Sequence, residues 1–221
     1  VPLGLMVAQA AGSGFDAGPE ARAVVLEHLA VALDRLAVLL VLGAMPVLAG
    51  GLTVMRGTAR DRTMGPYRTA GTCVALLAVV VMVAALWLAW PMPLGMTAVS
   101  LLGAAALLVA AFRYRVPLLH WGGIAFAATG YLTLYHYIRR YGEIVELSRQ
   151  ELARDMISRL LNALTRAGSA RSAVALVGLC VVLGAAAEML ARGGWRRHGL
   201  VYARGAVVVA LMSLGMVTLP G

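Results

Sequence analysis

Apolar residues in this chain are gathered into long runs separated by short polar breaks, at about 36–55, 70–90, 94–112, 117–138, 172–191 and 200–219. A helix rises ~1.5 Å per residue, so each run is long enough to cross the ~30 Å hydrocarbon core of a bilayer. The expected fold is therefore all-α and integral to a membrane: a polytopic transmembrane helix bundle of about six spans, with one amphipathic interfacial helix. That extra helix comes from a change of pattern after residue 138. The run PLLHWGGIAFAATGYLTLYHYI continues without a proline or turn cluster into EIVELSRQELARDMISRLLNALTR. There Val145, Leu152, Met156, Leu160, Leu161 and Leu164 share one helical face and charged residues fill the rest. Its acids and bases nearly balance, so it is expected to lie on the membrane surface or on a partner.

Read in order, the chain divides into four parts. Residues 1–18 read as the stub of an upstream span, or a signal remnant, plus a linker; on this expectation the chain is a piece of something larger. Residues 19–138 hold an amphipathic lead-in and four spans. In the lead-in Pro19 and Glu20 open a helix, and Glu20, Glu27 and Asp34 fall on one line. It merges into the first span, with a possible kink site at Pro46. Residues 139–171 are the surface helix, and 172–221 hold two further spans. The uncharged WPMPL break and the short basic RYRV break make their flanking spans antiparallel neighbours. Gly123, Ala127 and Gly130 give the fourth span a small-residue face that lets another helix approach closely. Tyr131, Tyr135, Tyr137 and Tyr141 cluster at its far end, which suits the headgroup zone.

Composition changes the picture only by narrowing it. With 61% hydrophobic residues, 13% charged and a mean hydropathy of +0.84, a chain of 221 residues has far more apolar surface than a core of its size can hide from water. All 19 basic residues are Arg, which reads as a bias of genome composition more than as chemistry, and the expected location is a bacterial cytoplasmic membrane. The net charge of +9 resembles that of a nucleic-acid binder, yet the arginines bracket the apolar runs, so nucleic acid is not an expected partner. The expected partners are the lipid bilayer and other membrane helices, of this chain or another. The breaks at 56–69, 113–116 and 192–199 hold nine Arg against one acid, which places them in the cytoplasm by the positive-inside rule. Seven further Arg between 139 and 171 argue the other way. Cys73 and Cys180 lie inside apolar runs at depths too different for a disulfide and are expected as buried free thiols.

Ionisable groups at mid-membrane are costly and so mark function. The second and third spans carry none, and Asp34, Arg35, Glu188 and Arg204 lie near span ends, where long side chains reach the interface. Glu188 and Arg192 are spaced for an interfacial ion pair. His120 and His136 are too far apart on one helix to share a haem iron. His120 and His198 fall near the inner face and His28 and His136 near the outer, so ligation across helices is conceivable, but interfacial or packed histidines are the expectation. No metalloprotease, nucleophile-elbow, phosphate-loop, dinucleotide or paired-cysteine motif occurs, so no catalytic residue, cofactor or metal is assigned. One polar set could converge at the outer face: Glu27, His28, Asp34 and Arg35 from the lead-in with His136, Arg139 and Arg140 from the fourth span's exit. The expected function is a non-enzymatic membrane scaffold or assembly module. The alternatives are a transporter for an apolar or lipid-like solute and an enzyme acting on a lipid-linked substrate at the outer face.

Overall fold

In hydrocarbon no water is available to the peptide groups, and an α-helix pairs them within its own segment. The computed structural model describes residues 19–57, 65–89, 92–139 and 170–218, with the side chains of 31–57, 65–89, 92–139 and 172–218. Every regular element among them is an α-helix: α1 (Pro19–Gly57), α2 (Gly65–Leu88), α3 (Pro93–Tyr114), α4 (Leu118–Arg139), α5 (Ala170–Arg192) and α6 (Arg196–Thr218). Residues 1–18 and 140–169 lie outside the described residues, and with them the upstream stub and the amphipathic surface helix expected from the sequence.

Among the described residues, five helices contain a stretch long and apolar enough to cross a membrane: Val31–Gly57, Gly65–Leu88, Pro93–Tyr114, Ser172–Arg192 and Arg196–Thr218. The all-helical membrane bundle is thus present, with a helix at each of the six expected runs, five of them apolar enough along their length to span. The helix left out is α4, and the reason is its composition. It carries His120, Thr129, Tyr131, Thr133, Tyr135, His136 and Tyr137, and it packs on α3 on one side and on α5 and α6 on the other. These polar and aromatic side chains lower its mean hydropathy, and several of them bond to neighbouring helices or to its own backbone, as polar groups inside a bundle do. Its threonines bond back into their own helix, Thr129 Oγ1 to Ala125 O at 3.0 Å and Thr133 Oγ1 to Thr129 O at 2.7 Å.

Tight turns set the topology. Pro93 opens α3 with a preset φ, and α3 ends on Arg115 in the left-handed region (φ 52°), where Val116 N–H donates to Ala111 O at 3.1 Å. Helix α5 ends likewise on Gly194 (φ 81°), with Trp195 N–H on Leu190 O at 2.9 Å. Reversal within so few residues makes α3 and α4, and α5 and α6, antiparallel hairpins. Helices α1 and α2 form a third hairpin, which meets the middle one chiefly through α1 and α3.

Glycines bring the helices together. A Cβ on Gly51 would lie 2.7 Å from Gly71 O and Ala75 N, and one on Gly71 would lie 2.7 Å from Gly51 O, so α1 and α2 touch backbone to backbone. The expected small face of α4 packs on α3, Gly123 against Leu108 and Gly130 against Ser100, while the Phe126 ring covers Gly103. Leu48, Met82, Leu107 and Phe126 fill the joint between the first two hairpins, and Ile124, Leu183, Tyr202 and Val209 the joint between the last two. Leu39, Leu76, Trp87, Val109 and Leu211 point outward, as a lipid-facing surface requires.

Candidate functional site

Because α4 and α6 each start directly after a tight turn, His120 and His198 both fall in the first turn of their helices, at the same end of the bundle. His120 Nε2 and His198 Nδ1 stand 2.6 Å apart, and His120 Nδ1 is 3.2 Å from Tyr202 Oη. His120 is fully buried, and His198 and Tyr202 are each only 7% exposed. A hydrogen bond between two ring nitrogens needs one N–H and one lone pair, so the chain of contacts runs in one direction at a time. Either the Tyr202 hydroxyl donates to His120 Nδ1 and His120 Nε2–H donates to His198, or both bonds reverse. Aromatic rings enclose the pair. Phe112 meets His120 edge-on at 4.7 Å and stacks on His198 at 5.6 Å, and Trp195 closes over His198 at 5.1 Å.

The cluster joins α3 and α4 to α6, so it acts first as a clamp between hairpins. A satisfied polar network in dry surroundings favours one helix register, since any slip would leave buried nitrogens unpaired. Among the described residues, no group of three or more His, Cys, Asp or Glu is placed to hold a metal ion. No family model, curated protein or solved structure matches this chain.

The polar residues singled out in the sequence take several places. Asp34, on α1, lays its carboxylate against Gly95 in the first turn of α3, where any Cβ would collide with it. Its Oδ1 is buried without a hydrogen-bond partner. Met92 at the start of α3 makes no side-chain cap bond, and the Asp34 carboxyl group lies at that end of the helix. Arg35 is exposed. His136 Nε2 is 2.8 Å from Ser172 Oγ on α5, and the Arg139 guanidinium sits 5.8 Å from the Tyr135 ring centre. Asp34 thus belongs to the contact of α1 with α3, and His136 to that of α4 with α5. The side chains of Glu27 and His28, and Arg140 as a whole, lie outside the described residues.

Further polar contacts also bridge helices. Tyr114 Oη donates to Ala49 O at 3.3 Å and Arg56 Nη1 to Arg113 O at 2.9 Å, tying α3 to α1. Ser213 Oγ donates to Ala173 O at 2.9 Å and the Cys180 thiol to Ala206 O at 3.3 Å, tying α5 to α6. Cys73 and Cys180 are both free, and Cys73 is exposed rather than buried. Glu188 and Arg192 form the ion pair their spacing suggested, at 2.8 Å on an exposed face. What the sequence did not single out is the contact between His120 and His198. The signal was there in part: alternating helix direction puts positions 120 and 198 at one end.

Proposed function

We propose that this chain is a non-enzymatic membrane scaffold, an assembly module of a larger membrane protein, with its Arg-rich connections in the cytoplasm of a bacterial cell. The observation that supports this reading is the use of interior polar groups: His120, His136, Tyr114, Ser213 and Cys180 each bond from one helix to another. Such groups serve cohesion in a medium where apolar helices gain nothing by leaving lipid for each other. Gly43 and Gly50, on the outer face of α1, have nothing within 4 Å of where a Cβ would be, and so leave room for another helix to approach as α2 approaches Gly51. On this proposal the segment 143–166 contacts lipid or the same partner.

The test is the assembled state of the full chain, extracted from membranes in mild detergent and sized by light scattering. The expected result is a complex heavier than the 23.1 kDa chain. Gly43→Leu with Gly50→Leu should shift it towards the monomer while the circular dichroism spectrum remains that of the folded helical chain. A monomeric wild type refutes the scaffold. So does protein-dependent movement of a fluorescent phospholipid across reconstituted vesicles, which is the behaviour of a lipid transporter.

A further inference from the structure

Among the described residues, Arg56 at the end of α1, Arg113 and Arg115 after α3, and Arg196 and Arg197 at the start of α6 lie at one end of the bundle, and the aromatic box around the histidines draws the last two groups together. Phe112 and Trp195 lie 5.9 Å apart, centre to centre, which sets the end of α3 beside the start of α6. Arg113 and Arg115 on one side, and Arg196 and Arg197 on the other, therefore flank the same cluster, and all four are exposed. Arg56 adds its charge at the Arg113 carbonyl. Glu188 is the one acid among the described residues of this end, and Arg192 already pairs with it. The four arginines thus have no nearby acid to neutralise them among the described residues.

Two details suggest that this charge is directed at a ligand and does more than orient the chain. Arg115 occupies a left-handed helix end (φ 52°), a conformation that glycine adopts without strain and that costs any other residue energy. The position puts a guanidinium at the helix end where a glycine would relieve that strain. One turn deeper the surface becomes apolar: Leu118 on α4 is 72% exposed and Leu200, one turn beyond Arg196 and Arg197 on α6, is 52% exposed. Cationic groups above exposed aliphatic ones match the order of a lipid, headgroup first and chain below.

We infer that this end of the bundle binds an anionic phospholipid, with Arg113, Arg115, Arg196 and Arg197 taking the headgroup phosphate and Leu118 and Leu200 lying along the upper acyl chain. Guanidinium forks hold phosphate oxygens in pairs, and the interface lowers the local dielectric, so the contact is stronger than the same charges make in water. The lipid site depends on the helices being in a membrane and is independent of the scaffold reading.

The test uses the full chain in phosphatidylcholine bilayers with a trace of spin-labelled phosphatidylglycerol or spin-labelled phosphatidylcholine. The motionally restricted fraction of each label is read by electron paramagnetic resonance. The expected result is a preference of about fivefold or more for phosphatidylglycerol, the selectivity that one well-placed surface cation can give. The four-fold Arg→Gln variant should fall to the phosphatidylcholine level, and Arg115→Gly, which relieves strain and so keeps the fold, should lose part of the preference. Arg35→Gln, at the other end, should change nothing. Part of the preference should survive ~1 M salt, where exposed charges are screened beyond ~3 Å. The inference is overturned if the wild type does not discriminate between the labels, if the four-fold variant keeps the preference, if Arg35→Gln lowers it as much, or if salt abolishes it, since salt-labile selection is only diffuse surface potential.

Discussion

If His120 and His198 form a clamp, their contributions to stability must be coupled. His120→Ala removes a fully buried ring from its contacts with Phe112 and leaves His198 Nδ1 and Tyr202 Oη without their partner. An unsatisfied buried polar group costs about 1–3 kcal/mol and the lost ring contacts about 0.5–1.5 kcal/mol, so the expected destabilisation is ~3 kcal/mol. His198→Ala orphans His120 Nε2 in the same way and should cost slightly less, because His198 keeps a little solvent contact. In the double variant the shared bond can be lost only once. The deficit should be about 1.5 kcal/mol, near the top of the range for hydrogen bonds between membrane helices, since the contact is short and dry. The assay is sodium dodecyl sulfate titration of the full chain in mixed micelles, followed by circular dichroism, for wild type, both singles and the double. His120→Ala combined with His136→Ala is the control. Those positions lie ~24 Å apart along one helix and His136 bonds to Ser172, so this pair should be additive. Additivity of His120→Ala and His198→Ala within ~0.4 kcal/mol would sink the clamp.

Three further outcomes follow from the packing. Gly51→Val and Gly71→Val each push a side chain into backbone at 2.7 Å and should lower stability by about 3 kcal/mol or prevent folding, whereas Gly43→Ala and Gly50→Ala, which meet open space, should be neutral or stabilising by up to ~1 kcal/mol each; the same titration reads both, and equal losses at the four sites would contradict the packing. Gly95→Ala should destabilise by ~1–3 kcal/mol by displacing the Asp34 carboxylate, and adding Asp34→Ala should restore most of that loss; a second mutation that deepens the loss would show that Asp34 and Gly95 do not meet as described. In a Cys73→Ser, Cys180→Ser background, a membrane-impermeant maleimide applied to intact cells should label Leu94→Cys and leave Arg196→Cys unlabelled until the cells are opened; the opposite pattern would place the Arg-rich end outside.

What the sequence reveals here differs along the helix axis and around it. Along the axis the boundaries were legible, because the charged and Pro- or Gly-containing breaks between apolar runs coincide with the helix ends: Pro93 presets the first turn of α3, and Gly194 takes the left-handed conformation (φ 81°) after α5. The helices extend past the apolar runs, as α6 does in starting at Arg196 where the apolar run starts at about 200, because arginine can begin a helix in the headgroup zone and keep its charge in water. Around the axis little was legible. That His120 and His198 share an end follows from alternating direction, but that their rings touch depends on the rotation of two helices 78 residues apart in sequence. That rotation is set by Gly123 and Gly130, which turn one side of α4 to α3 and so commit His120 to the joint with α6. Tyr202 shows the same limit: in sequence it is one aromatic in an apolar run, and only the neighbouring helix makes its hydroxyl a partner for His120. Asp34 drew attention as a charge near a span end, while its counterpart Gly95 carries no chemical signal and is informative only as an absent side chain. The two polar features of the cytoplasm-proposed end are connected by this geometry. The box that keeps the histidines dry uses Phe112 and Trp195, and their chain neighbours Arg113 and Arg196 are thereby held together at the surface. Loosening the box with Phe112→Ala should then weaken phosphatidylglycerol selection without removing a single charge, a loss that a purely charge-counting account of this surface does not predict.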